Sequence, residues 1–443
     1  MTRIVIIGFQ SAGLTAAGAV RLFDRDAKIT AIERRAYATC HPCGLPFLVE
    51  GKIPDMDKLI EVESKIPGIE VKSKTEAKSI DRKQKVVEVQ DITSGRSEKI
   101  PYDKLIIGTG SIALRPRIPG DNLKNVFTMQ SCEDAAGVLS MVSAGAKSAV
   151  VIGAGLIGIE VACALRARGL AVTVVEMLSN VLPGFLDQDM ADIVVEHIKK
   201  IGVEVLCSTP AKEIIGKTKV EAVLAGEKKI PADFVVLAVG FRPNVELAAR
   251  AGLKLGPTGL VEVDEQLRTS DPDIYAAGDC AESKCLITKR PVKSQLATTA
   301  IRMGRVAGIN AAGGKELFPG VLNTATTAVE GLEAASTGLT ASRANDVGLD
   351  VFAARVRASS RPRYFPGAAP ITVKLIVERG SGRVLGGQII GEGAAERADL
   401  LAFGIARGVK VGELAQMEYC YAPPVSDEIE PLVVAAQAAL RRL

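Results

Sequence analysis

The chain has 443 residues, long enough for two to four domains with buried cores. It is 47% apolar and 24% charged, as globular proteins are, and its net charge of +4 is spread without like-charge blocks. That balance argues against a basic, aromatic-interleaved nucleic-acid surface, and no run reaches the roughly 18 apolar residues of a membrane span.

The first element is the strand in "MTRIVIIGF". Its apolar run is too short for a signal-peptide core and stops at glycine, as a buried strand does. With no export signal, the eight cysteines (40, 43, 132, 163, 207, 280, 285 and 420) are expected as thiols in a reducing cytoplasm. The strand opens a β-α-β unit, "RIVIIGFQSAGLTAAGAVRLF" followed by "KITAIERR". Gly8 and Gly13 frame its turn, Gln10 stands where a dinucleotide fingerprint has its middle glycine, and Glu33 ends the second strand with Arg34 beside it.

Next comes "YATCHPCGLPF", residues 37–47, with Cys40 and Cys43 in C-x-x-C spacing. A metal site lacks further ligands, since no second C-x-x-C or Cys-x-x-His follows, so none is expected. A dithiol and a single working cysteine with a bystander both remain. "YDKLIIGTGS" then places Thr109 and Gly110 after another strand.

A second β-α-β unit, "SAVVIGAGLIGIEVACALRARG" followed by "AVTVVEM", carries the full Gly153-x-Gly155-x-x-Gly158 pattern. The first glycine permits the tight turn, the second lets backbone approach a pyrophosphate, and the third lets helix and strand pack. Glu176 ends its second strand, placed to accept a ribose 2′-OH. Met177 and Leu178 follow with no arginine for a 2′-phosphate, which favours NADH over NADPH. "AVGFRPN", with Gly240, and "IYAAGDCAE", with Gly278 and Asp279, follow further strands. Asp279 reads as a flavin-ribityl ligand or a helix N-cap. After residue 320 the texture changes: "ITVKLIVE" and "VLGGQIIG" form a hairpin, and "AERADLLAFGIARG" and "SDEIEPLVVAAQAALRRL" read as helices.

The ordered set "GFQSAG", "YDKLIIGTGS", "GAGLIGIE", "AVGFRPN" and "IYAAGDCAE" resembles the two-dinucleotide flavoprotein disulfide reductases from end to end. "CGLPFLVEG", "RYFPGA" and "YAPP" are most similar to the single-cysteine branch, which includes coenzyme A disulfide reductase, NADH oxidase, NADH peroxidase and NAD(P)H sulfur or persulfide reductases. The resemblance implies an α/β fold with two Rossmann-like dinucleotide-binding domains and a C-terminal α+β dimerisation domain. FAD would occupy residues 1–112 and 243–320, NAD(H) residues 113–242, and the dimerisation domain residues 321–443.

It assigns FAD to Gly8, Gly13, Glu33, Arg34, Thr109, Gly110, Gly278 and Asp279, and NADH to Gly153, Gly155, Gly158, Glu176 and Gly240. Cys43 becomes the catalytic thiol. Tyr364 and Tyr421 are the tyrosines that reach the partner subunit's cysteine in a homodimer with shared active sites. Thr15, Arg21 and Thr39 fall at coenzyme A contacts, although Leu22 stands where a second arginine is usual. Oxidase and peroxidase types carry a histidine where this chain has Ser11, and the chain's only histidines are His41 and His197.

The expected chemistry is attack by a Cys43 thiolate on a small-molecule disulfide, persulfide or polysulfide. Arg355, Arg357, Arg361 and Arg363 beside Tyr364 would serve coenzyme A phosphates or form a solvated basic edge. The alternatives are an NADH oxidase working through a Cys43 sulfenic acid and a Cys40/Cys43 dithiol reductase. Cys40 is read as a bystander or a resolving thiol, and Cys420 as an accessory one.

Overall fold

Strand β1 (Arg3–Ile7) is buried at its last four positions, which is why it reads as an unbroken apolar run. Helix α1 (Ser11–Phe23) and strand β2 (Lys28–Ile32) complete the first β-α-β unit, with β1 and β2 paired in parallel. The structure is a computed structural model that describes residues 1–443. Met1–Leu45, Pro54–Ala113 and Phe241–Val321 make one unit; Pro46–Ile53, Leu114–Gly240 and Leu322–Leu443 make the other.

In the first unit a parallel sheet runs in the order Ile274–Ala276, Lys104–Ile107, β1, β2, Ile69–Lys72. The order reverses at β1, so the crevice for a nucleotide lies at the carboxyl ends of β1 and Lys104–Ile107. Glycines let the helices close on one another. A Cβ at Gly304 or Gly308 of helix Ala297–Ala311 would fall 2.3 Å from the Ala12 carbonyl oxygen or 2.4 Å from that of Ala16, both in α1. Asp279 lies in a turn and no helix follows it, so the N-cap reading does not hold.

In the second unit a parallel sheet is ordered Val126–Phe127, Phe234–Leu237, Ser148–Ile152, Ala171–Val175, Val203–Leu206, and helix Leu156–Ala167 follows its central strand. An antiparallel sheet ordered Ala325–Val329, Leu332–Gly338, Val384–Ile390, Pro370–Glu378, Val351–Ser359 forms the C-terminal part, with the expected hairpin at its heart. Alternation in "ITVKLIVE" would ordinarily leave one face wet. Here Ile371–Val377 is buried throughout. Helix Pro431–Leu440 packs on this strand, and the buried Lys374 is paired with Asp187 at 3.0 Å and Asp189 at 2.6 Å. The last helix starts at Pro431, not Ser426. Proline suits a first helical position, disfavours helix in the residue before it, and follows Glu430, whose carboxylate accepts from Leu432 N–H.

No helix is long and apolar enough to cross a membrane.

Candidate active site

Two loops are built alike. Gly8 has φ +88°, and a Cβ there would lie 2.3 Å from the Gly108 carbonyl oxygen; one on Gly13 would lie 1.9 Å from that of Gly8. Gly153 has φ +101°, with its Cβ position 2.4 Å from the Ala238 oxygen, and a Cβ on Gly158 would lie 2.1 Å from the Gly153 oxygen. These four positions therefore admit no side chain without moving backbone. The carboxylates repeat the likeness. Glu33 accepts Phe9 N–H at 3.0 Å and Arg35 N–H at 2.9 Å; Glu176 accepts Ala154 N–H and Leu178 N–H, both at 2.8 Å. Each buried carboxylate is thus pre-aimed at the mouth of its loop, where a ribose would sit.

Around the first loop, Thr109 Oγ1 donates to the Asn244 carbonyl at 2.6 Å, and Ser111 Oγ donates to Asp279 at 2.7 Å. Burial pushes the Asp279 carboxyl up, which suits a group that exchanges hydrogen bonds with ligand hydroxyls. Gly110 (φ +66°) and Gly278 (φ +81°) complete this rim. Arg34 is exposed, and it is Arg35 that reaches Glu33, at 3.5 Å.

In the second loop a Cβ on Gly155 would meet nothing within 4 Å, and the same holds at Gly240. The face that a pyrophosphate would approach is therefore open. Met177 and Leu178 are exposed and bring no cation to Glu176. Gly155→Ala is expected to leave the melting temperature unchanged yet raise the KM for NADH about tenfold, worth about 1.4 kcal/mol. Steady-state kinetics beside thermal unfolding checks this, because the new methyl would meet only the ligand.

The two sulfurs of the C-x-x-C stretch sit in different surroundings. Strand β3 (Thr39–Cys40) pairs with strand β4 (Ile60–Glu61) and buries Cys40. Cys43 is exposed, in a 3-10 turn, Pro42–Gly44, that runs directly into helix Leu45–Glu50. In the second unit, the exposed phenols of Tyr364 and Tyr421 hydrogen-bond to each other at 3.1 Å. The bond from Tyr364, with burial and the pair's charge interaction added, pushes Tyr421 up to about 12, so it holds its proton at neutral pH.

Residues 2–304 match the family described as pyridine nucleotide-disulphide oxidoreductase, and residues 324–433 match the dimerisation domain of that family. The chain belongs to the pyridine nucleotide-disulphide oxidoreductases. It is 41% identical to an "NADH oxidase" of Methanocaldococcus jannaschii, over 100% of this chain and 99% of the relative. It is 36% identical to an "NAD(P)H coenzyme A polysulfide/persulfide reductase" of Pyrococcus horikoshii, over 98% of each. Among solved structures it is similar to the NAD-dependent persulfide reductase from A. fulgidus, with TM-score 0.96 and 41% identity, covering 99% of this chain and 83% of that one.

As a member of this family the chain keeps both nucleotide loops fit for FAD and a pyridine nucleotide, and the residues expected at coenzyme A contacts each make hydrogen bonds within the chain. Arg21 donates to the carbonyls of Pro67, Arg25, Ala27 and Gly68. Thr15 Oγ1 donates to the Ser11 carbonyl at 2.7 Å, and Thr39 is buried with its hydroxyl toward Glu61 at 3.4 Å. Of the arginines near Tyr364, Arg355 pairs with Asp189 and Arg361 with Glu392, whereas Arg357 and Arg363 line a cavity of about 420 Å³. Cys420, between Tyr419 and Tyr421 in sequence, is exposed.

Glu160 went unread in the sequence. It lies on helix Leu156–Ala167, accepts from Thr327 Oγ1 at 2.8 Å, and burial pushes its carboxyl up. A lone carboxylate in the apolar run "LIGIEVACAL" was its signal.

Proposed function

We propose that the protein is an FAD-dependent NADH oxidoreductase that reduces the sulfur–sulfur bond of coenzyme A persulfide, polysulfide or coenzyme A disulfide through Cys43. The observation that carries this reading is the Tyr364–Tyr421 phenol pair: two exposed hydroxyls, hydrogen-bonded to each other at 3.1 Å. Such a pair suits the protonation of a leaving thiolate. Exposure of Cys43 beside the buried Cys40 supports a single attacking thiol. The persulfide and polysulfide names of relatives support the substrate class.

Bound at the first loop, FAD would supply acceptance of hydride from NADH and delivery of the electron pair to sulfur. The chain's own groups do the rest. Glu33, Asp279 and the glycine rim bind and orient the one nucleotide, and Glu176 and the second loop bind the other. The Cys43 thiolate attacks an S–S bond, forms Cys43–S–S–R and expels the second sulfur as a thiolate, which takes its proton from the tyrosine pair. Two electrons from NADH then cleave the mixed disulfide to the Cys43 thiolate and R–S⁻. In a homodimer, the tyrosine pair of one subunit serves Cys43 of the other. Arg357 and Arg363 suit the phosphates of a coenzyme A carrier. A reducing, cytoplasmic setting belongs to the same reading.

The test is NADH consumption by the purified flavoprotein with each sulfur acceptor and with O₂. Sulfur acceptors are expected to be the faster. A rate on O₂ above all of them would favour the second reading, an NADH oxidase acting through a Cys43 sulfenic acid, which relatives of that name support. Tyr421→Phe is expected to lower kcat with coenzyme A disulfide about 100-fold while NADH binding holds, checked by steady-state kinetics.

A further inference from the structure

Gln10 occupies the place in the first loop that Gly155 takes in the second. Around Gly155 the backbone is open, whereas the Gln10 side chain turns to the segment that leads to Cys43. Its Oε1 accepts Cys40 N–H at 3.1 Å, and its Nε2 donates to the Ala38 carbonyl and to Glu33 Oε2, each at 3.4 Å. Only the carbonyl end of an amide can accept from an N–H, so the carboxamide has one orientation.

The other edge of this segment is held by β4 and its flanks, through Ala38 N–H to the Val62 carbonyl at 3.2 Å and His41 N–H to the Leu59 carbonyl at 2.9 Å. Gln10 supplies partners to the N–H of the buried Cys40 and to the carbonyl of the buried Ala38, groups that are costly to leave unpaired. Its third contact is to the Glu33 oxygen that also receives Phe9 N–H. One side chain therefore touches the ribose-side carboxylate, the first glycine loop and the backbone three residues before the exposed thiol.

We propose that Gln10 is a positioning residue that ties the first nucleotide loop to the Cys40–Cys43 turn and so sets the placement and reactivity of the Cys43 sulfur. The middle glycine of the fingerprint is exchanged for an amide that spans loop and turn. The proposal rests on Cys43 being the working thiol.

The test uses the full-length flavoprotein and Gln10→Met, which keeps length and shape but loses the hydrogen bonds, beside Gln10→Glu, which keeps the acceptor for Cys40 N–H but sets a carboxylate against Glu33. The rate of Cys43 alkylation by iodoacetamide is followed against pH. Hydrogen exchange is followed over residues 38–43, and turnover is measured with coenzyme A disulfide and with ferricyanide, a one-electron acceptor that needs no thiol. In Gln10→Met the alkylation profile is expected to shift along the pH axis, exchange at the Cys40 amide to speed up, and kcat for the disulfide to fall about tenfold or more. Flavin content and ferricyanide turnover are expected to hold. An unchanged alkylation profile with unchanged disulfide kcat overturns the proposal. Loss of flavin in both variants also overturns it, since Gln10 would then be a structural part of the loop. Alkylation reads the sulfur without turnover, so the result stands apart from failure of the functional reading, which is seen instead as disulfide turnover surviving in Cys43→Ser.

Discussion

Cys43→Ser is expected to lower NADH-dependent reduction of coenzyme A persulfide, polysulfide and coenzyme A disulfide on the order of 1,000-fold or more, with flavin content and melting temperature unchanged. The thermal part follows from exposure: the Cys43 side chain faces solvent in a short turn, so an isosteric hydroxyl disturbs little packing. The catalytic part follows from chemistry, because a serine hydroxyl cannot form the mixed disulfide. Cys40→Ser is the informative partner. Its sulfur is buried on β3, so a hydroxyl there costs about 1–3 kcal/mol of stability. If Cys40 is a bystander, turnover on the sulfur acceptors nevertheless stays near wild type. If both substitutions abolish turnover, the dithiol reading replaces the single-thiol one.

Lys374→Met is expected to destabilise the protein by about 3–5 kcal/mol at neutral pH, seen as a fall in melting temperature of roughly 3–5 °C. Lys374 is buried on strand Pro370–Glu378 and neutralises Asp187, which is also bonded to Gln388 Nε2 at 2.8 Å. Burial alone would raise the Asp187 carboxyl. The hydrogen bonds from Lys374 and Gln388, the Lys374 charge and the Ala341 N–H outweigh it, so the carboxyl sits below its ordinary range. A depressed carboxyl contributes stability above its unfolded value of about 3.9 and loses it as pH falls through the folded value. Without the lysine, burial dominates and the carboxyl rises, so the variant is penalised at neutral pH and relieved by protonation. The gap between the two proteins should therefore narrow as pH falls from 7 toward 4, as thermal unfolding across that range would record. Adding Asp187→Asn to Lys374→Met should recover part of the loss.

Local chemistry made much of this molecule legible. The glycine spacings announced both loops because no side chain fits at Gly8, Gly13, Gly153 or Gly158, a constraint written in single letters. The hairpin and the helix Ala394–Ala406 were readable from period and turn residues. What was hidden depends on partners distant in sequence. Cys40 and Cys43 look equivalent as a C-x-x-C pair, and pairing with Ile60–Glu61 and Gln10 is what buries one and leaves the other outside. Lys374 looked like the wet side of an alternating strand because its carboxylates lie far upstream in the chain. Asp279 carried a plausible N-cap signal but stands in a turn, and Arg34 yielded to its neighbour Arg35 at Glu33. The Tyr364–Tyr421 pair was visible only through resemblance, since two tyrosines 57 positions apart carry no local signal of contact.

In the proposed mechanism one sulfur, Cys43, carries the substrate between attack and release. Intact and peptide-level mass spectrometry of the flavoprotein, acid-quenched after coenzyme A disulfide is added without NADH, reads this most directly. The predicted result is one coenzyme A adduct on the Cys43 peptide, removed by a single addition of NADH, with Cys40 still alkylatable after denaturation. A Cys40–Cys43 disulfide with no retained coenzyme A would contradict it.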